Sequence, residues 1–278
     1  MEITFHGVRG STPCNDPAIA RYGGNTSCVS VTAPGELPLL FDLGTGLRYF
    51  GAEQPVDRPF RGTCLLTHLH WDHLQGLPFF TPLLRDGSCL DVYAPPHGDE
   101  GVGDVFVRTF RPPLFPVEVD SLPGRVVCHD IGDDDFDVGG FRVSARLVPH
   151  VGPTCGYRVE WGGRTVAYLS DHQQPCDGSF SVTPGALELC RGADVLIHDA
   201  QYTPAEFARK CDWGHSMIEY AVWLGAAADV RTLVLFHHDP THDDELIDVL
   251  AASAAACARS SGVEVVAARE GMILHLGS

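Results

Sequence analysis

The chain has 278 residues, 44% of them hydrophobic, enough for one large core and too apolar for a disordered protein. Its formal charge is −17, and of 19 basic residues only Lys210 is a lysine. Broad binding to nucleic acid or an anionic membrane needs clustered cations, so this balance argues against both. The opening MEITFHGVRG turns polar within a few residues and lacks a signal-peptide core, which predicts a cytoplasmic protein. Short β-segments follow in order: EITFHGV, CVSVTA, LPLLFDLG, GTCLLTH and CLDVYAP. The Pro- and Gly-rich stretch 95–125 predicts one helix and an irregular loop, and GDDDFD at 132–137 reads as a solvated turn rather than a calcium loop. Next come FRVSARLVPH and then GYRVEW and RTVAYLSD, joined by Gly162 and Gly163 as a hairpin. ADVLIHDA, TLVLFHHD and VEVVAAR complete the strands. Two late helices have capping-box starts, Ser216 with Glu219 and Thr241 with Asp244. The longest apolar tract, YAVWLGAAADVRTLVLF, is broken by Asp229 and Arg231 and cannot span a bilayer. Ten cysteines without a CxxC pair read as small core residues, with Cys155, close to His150, the one to watch. The alternation predicts a single α/β domain over residues 1–278.

The densest chemistry lies in THLHWDH. Residues two apart on an extended segment project to one side, so His68 and His70 can aim at a common point beyond their strand. If the chain then turns, Asp72 and His73 can aim at a second point. One zinc takes about four ligands, so this motif alone is incomplete. Three more ligand-type residues stand at the polar ends of apolar strands: His150, Asp171 and His237. Each alone is equally readable as a solvated strand-end residue. Together they complete a two-metal centre, with His68, His70 and His150 on one ion and Asp72, His73 and His237 on the other. Asp171 bridges them, with the ions roughly 3.5–4 Å apart. Zinc is the expected metal, with manganese and iron as alternatives. His6, His97, His129 and His275 read as solvated, and His198 as structural.

The order FDLGTGL, THLHWDH, LVPH, YLSD, LFHHD resembles the metallo-β-lactamase superfamily along nearly the whole chain. GVRGSTP, RYGGNTSC, LIHDAQYT, WGHS and LFHHDPTHDD are similar to its cyclic-nucleotide phosphodiesterase-like and ribonuclease Z-like branch. The resemblance implies a four-layer αββα sandwich, a metal centre at one edge between the sheets, and the ligand set above. The remaining need is a proton for the leaving group. His215, just before a predicted helix start, is the candidate, with Asp199 to orient it; the resemblance implies such a carboxylate–histidine pair. Met217 departs from the threonine usual after HS. Asp72, His215 and Asp199 are thus the expected catalytic side chains. Arg9, Asn25, Ser27 and Thr45, in Gly-rich loops, are candidate phosphate donors or ordinary turn residues. His172 and His238 are expected to point away from the ions and to support the ligands.

The activity expected first is hydrolysis of a small phosphodiester, most plausibly a 3′,5′-cyclic nucleotide, because basic residues are few and no long basic insertion is present. Ribonuclease Z-like RNA processing is the alternative, followed by β-lactam, lactone or thioester hydrolysis. A di-iron oxidoreductase and a non-catalytic binding module rank lower. A homodimer is expected as possible, and the proline-rich loop 111–116 is placed either over the site or at such an interface.

Overall fold

The computed structural model describes residues 1–277. Six strands come first: β1 (Glu2–Gly7), β2 (Cys28–Thr32), β3 (Leu39–Phe41), β4 (Arg61–Leu65), β5 (Cys89–Ala94) and β6 (Arg125–Asp130). Seven more build a second sheet: β7 (Asp134–Val138), β8 (Phe141–Leu147), β9 (Cys155–Trp161), β10 (Arg164–Leu169), β11 (Val195–Asp199), β12 (Thr232–Phe236) and β13 (Glu264–Ala267). The last strand, β14 (Ile273–His275), returns to the first sheet and pairs antiparallel with β1. Strands β3 to β6 run parallel, as do β10 to β13. Helices α1 (Leu47–Glu53) and α2 (Val102–Thr109) lie on the first sheet's outer face. Helices α3 (Pro184–Cys190), α5 (Ile218–Ala227) and α6 (Asp244–Ala258) cover the second, and α4 (Pro204–Lys210) follows β11. This is the αββα sandwich expected from the resemblance.

The strand pattern explains the layering. Along β12, Val234 and Phe236 enter the core between the sheets, while Leu233 and Leu235 pack beneath α5 and α6. A strand covered on both faces must be apolar along its buried length, as LVLF of β12 is. In β11, Val195 and Ile197 face inward and Leu196 outward. Aromatic side chains tie the sheets together: Phe41 stacks on Tyr168 at 4.5 Å, and the Tyr157 hydroxyl donates to the Leu66 carbonyl at 2.6 Å.

Several expectations need correction. GDDDFD is not wholly a turn: residues 134–138 form β7, paired with β8, while the Asp133 and Asp134 carboxylates accept from Leu147 N and Gly132 N. Helix α5 is capped at Met217 without a side-chain bond, because the Ser216 hydroxyl donates instead to the His172 carbonyl. Helix α6 is capped by Asp243, which accepts from Leu246 N at 2.8 Å, and Thr241 bonds Asp239. The capping box lies at α4, between Thr203 and Glu206. Cys155 faces the core, its Sγ 3.7 Å from the Gly132 carbonyl and its thiol pushed up to about 12 by burial. The 95–125 stretch holds α2 and a loop, as expected. No described helix is long and apolar enough to cross a membrane.

His6 is buried, not solvated, with Nε2 2.8 Å from Ser30 Oγ and its ring edge-on to Phe50. Burial pushes its pKa down to about 4 from 6.5. The unfolded chain therefore gains this proton first as pH falls, so stability present above pH 6.5 drains away toward pH 4. By pH 5 the loss attributable to His6 is about 2 kcal/mol. Urea unfolding of His6→Gln at pH 7 and pH 5 is expected to show a pH dependence flatter by that amount; an unchanged slope would contradict it.

Candidate metal centre

The site gathers at the carboxyl ends of parallel strands, where open α/β sheets commonly place ligands. Strand β4 leads into His68 and His70, and a 3₁₀ turn over Trp71–His73 carries Asp72 and His73. His150 follows β8, Asp171 follows β10, and His237 follows β12. Asp199 ends β11, between the last two, and His215 precedes α5.

The structure brings all seven candidate ligands together. The ligand atoms of His68, His70 and His150 lie within 4.8 Å of one another, as do those of Asp72, His73 and His237. Asp171 reaches both groups. Its Oδ2 is 3.2 Å from His73 Nε2, and its Oδ1 is 3.5 Å from His237 Nε2 and 3.8 Å from His150 Nε2. Asp72 Oδ2 is 3.3 Å from His237 Nε2. The far ring nitrogens are held by partners. His73 Nδ1 meets Asp42 Oδ2 at 2.8 Å, His150 Nδ1 donates to the Gly214 carbonyl at 2.7 Å, and His237 Nδ1 meets Gln201 Oε1 at 2.8 Å. Such bonds fix the tautomer and leave Nε2 facing the centre.

Electrostatics divide the imidazoles. Burial drives His150 down to about 4, and burial with the neighbouring His73 takes His68 well below the ordinary range. Burial thus favours the neutral ring at both positions, the form in which imidazole can ligate a metal. Burial opposes charge on His73 and His237 too, but Asp171 and Asp72 raise both. Burial alone would raise the Asp171 and Asp72 carboxyls, yet the facing histidines hold both below the usual carboxylate range. A bound cation would take over the place of those histidine protons.

The donor set fits divalent metal. His68 Nε2 is buried without a hydrogen-bond partner, and His73 Nε2 and Asp171 Oδ2 have only each other, at 3.2 Å and without well-formed hydrogen-bond geometry. Orphaned polar atoms each cost about 1–3 kcal/mol, and a cation is what imidazole and carboxylate lone pairs can share. The backbone is also committed to the site. His237 and Asp42 sit at φ of 59° and 60°, a region few non-glycine residues enter and one that costs about 1–3 kcal/mol. Gly10 and Gly214 are required by close approach: an added Cβ would lie 2.4 Å from His237 Nδ1 and from His150 Nδ1, respectively.

His215 and Asp199 form the expected pair, Nδ1 to Oδ2 at 2.8 Å, and His215 stacks on His237 at 4.9 Å. His172 pairs with His198 at 2.9 Å, and His238 bonds the Ala268 carbonyl, so all three turn away from the ligand cluster. His97 and His275 are exposed, as expected, whereas His129 is half-buried, stacked on Tyr93 and bonded to Asp91.

The candidate phosphate donors are displaced from this role. Arg9 is fully buried, and its guanidinium donates to the carbonyls of Gly23, Asp239 and His242. The Asn25 amide donates to Glu270, Thr45 Oγ1 accepts from Thr26 N, and Ser27 is fully buried. These side chains join loops. Among the described residues, the cleft of about 500 Å³ over the centre is instead lined by Ser11, Trp71, Tyr202, Asp212 and Trp213, beside His215 and the ligands. Ser11 N also donates to Asp72 Oδ2 at 2.8 Å. Asp42, Gln201 and Tyr202 lie within FDLGTGL and LIHDAQYT but carry no spacing signal that marks them in the sequence.

Fold and site together define a metal-binding hydrolase of the metallo-β-lactamase type, and the chain belongs to the β-lactamase superfamily, whose domain matches residues 39–238. It is similar to the ribonuclease Z of Mycobacterium marinum, 30% identical over 86% of this chain and 87% of that one. In fold it is similar to the metallo-β-lactamase fold protein YhfI of Bacillus subtilis, with a TM-score of 0.73, 18% identity and 98% of each chain covered. Human short-form tRNase Z superposes with a TM-score of 0.71 at 24% identity over the full length of both chains.

Proposed function

We propose that the protein is a metal-dependent phosphodiesterase acting on RNA linkages, a ribonuclease Z-like hydrolase. The observation that carries the reading is the Asp199–His215 pair set against the ligand cluster, with His215 Nδ1 3.8 Å from Asp171 Oδ1. In this reading His68, His70 and His150 would hold one ion, Asp72, His73 and His237 the other, and Asp171 would serve both. Zinc is the best match to this ligand set, and divalent ions held there would supply a water of lowered pKa and would offset charge on the attacked phosphoryl group. The chain's own residues do the rest. Asp72, fixed by Ser11 N, orients its side of the centre. Asp199 accepts from His215 Nδ1, which leaves Nε2 as the nitrogen that passes a proton to the departing oxygen. Ribonuclease Z relatives support this reading over the small cyclic substrate ranked first from composition.

A second reading, cyclic-nucleotide hydrolysis, is favoured by the charge of −17. Metal-loaded protein assayed in parallel on precursor tRNA, a single-stranded oligoribonucleotide, cyclic nucleotides and a β-lactam separates them. Cleavage of an RNA linkage is expected. Turnover of cyclic nucleotides alone would favour the second reading, and β-lactam turnover without diester cleavage would overturn both.

A further inference from the structure

Two tryptophans stand at the mouth of the cleft, Trp71 at 54% exposed and Trp213 at 60%. Trp71 lies between the ligands His70 and Asp72, and Trp213 two residues before His215. One comes from the loop after β4 in the first sheet, the other from the segment between β11 and β12 of the second. Opposite halves of the sandwich therefore each bring one indole to the same reacting centre.

Neither indole is loose. Phe110, itself buried, stacks against Trp71 with centroids 6.2 Å apart and planes 24° from parallel. Lys210 Nζ lies 5.4 Å from the Trp213 ring and 4.9 Å from that of Tyr202, and is anchored by Asp239 at 3.3 Å. Each tryptophan thus has a partner on its ring and a large remaining area in water. A large, rigid aromatic surface already oriented loses little entropy on binding a flat partner.

The charges around the cleft point the same way. Lys210 is committed to Asp239, Arg108 on the neighbouring wall is held by both oxygens of Glu100, and Arg9 is buried. Asp212 adds negative charge beside Trp213. With no free cation among the described residues lining the cleft, a chain of phosphates gains little beyond the metal centre, and recognition falls to the bases. Base–aromatic stacking needs unpaired bases and tolerates any sequence.

We propose that Trp71 and Trp213 are stacking platforms for the two nucleobases flanking the scissile phosphate. The preferred substrate is then a diester between two unpaired nucleotides, not a cyclic mononucleotide. This rests on the reading of the centre as a phosphodiesterase. Loss of one stacked base lowers affinity between about 5-fold and 150-fold.

The test uses metal-loaded full-length protein and three diesters: adenylyl-adenosine, the methyl ester of AMP and the methyl ester of ribose 5-phosphate. Wild-type kcat/KM is expected to fall in that order. Trp71→Ala and Trp213→Ala each raise KM for the dinucleotide by the stated factor, leave bound metal unchanged and spare the base-free ester; phenylalanine at either position restores much of the loss. Equal losses on all three esters, or an unchanged KM for the dinucleotide, would overturn the proposal. If no diester is cleaved, the phosphodiesterase reading fails by itself. Fluorescence titration then decides about the platforms: AMP should quench tryptophan emission where ribose 5-phosphate does not, less in each alanine variant. Equal quenching by both ligands would overturn the proposal independently.

Discussion

Asp171→Ala is expected to empty the metal centre. Its two oxygens are the feature shared by both ligand groups, Oδ2 lying 3.2 Å from His73 Nε2 in one and Oδ1 3.8 Å from His150 Nε2 in the other. Without that carboxylate each group keeps three donors and loses the charge that holds two like-charged ions side by side. Losing an outer partner of a ligand typically costs about 10–100-fold in affinity, and loss of a shared ligand exceeds that. Purified Asp171→Ala should therefore contain less than half the wild-type metal and show no measurable diester hydrolysis. Full metal content in this variant would remove Asp171 from the bridging role. Circular dichroism of the same sample distinguishes metal loss from unfolding.

His215→Ala is expected to separate chemistry from metal binding. Its Nδ1 is committed to Asp199, and it meets the ligand His237 by ring stacking rather than through a hydrogen bond. Turnover should fall about 10²–10⁴-fold, the range for a positioned general acid, while metal content stays at the wild-type level. The loss should shrink for a diester whose leaving group is an activated phenol, because that oxygen departs without a proton. Asp199→Asn should show the same pattern more weakly, since an amide still fills the space but accepts less strongly from Nδ1. Loss of metal in His215→Ala would instead make His215 a ligand, a role its closeness to His150 and Asp171 permits geometrically.

The metal cluster was legible because its signal is short-range and chemical. HLHWDH puts four donor side chains in six positions, and the segments LVPH, YLSD and LFH end on the remaining three. Partners of those ligands were not legible. Asp42 is a lone carboxylate at the end of an apolar strand, and only the folded chain reveals that it meets His73, Thr67 and Tyr168 at once. Arg9 misled for the opposite reason: an arginine in a Gly-rich loop looks like a phosphate donor until backbone carbonyls close around it. Tryptophans 71 and 213 passed unremarked because an aromatic in a loop carries no spacing signal, and its exposure appears only in the fold.

The same distinction holds for the elements. Strands covered on both faces, such as β12 with its run LVLF, are readable from continuous apolarity. Strand β7, DDFDV, is an edge strand whose acidic positions face water, and only Phe136 and Val138 pack inward, so its composition is that of a turn. Strands β6 and β14 have no fully buried residue to mark them. Helices α1, α3 and α4 are seven residues each, too short for a helical period to repeat. At α5 the capping pattern was present, but tertiary structure drew the Ser216 hydroxyl to His172 and left the cap to Met217.

Elemental analysis of the purified chain, stripped with a chelator and then titrated with zinc while diester hydrolysis is followed, tests the central claim most directly. Two ions per chain are predicted, with activity lost on stripping and regained only as the second ion binds. Full hydrolysis by stripped protein, or saturation of activity at a single ion, would contradict it.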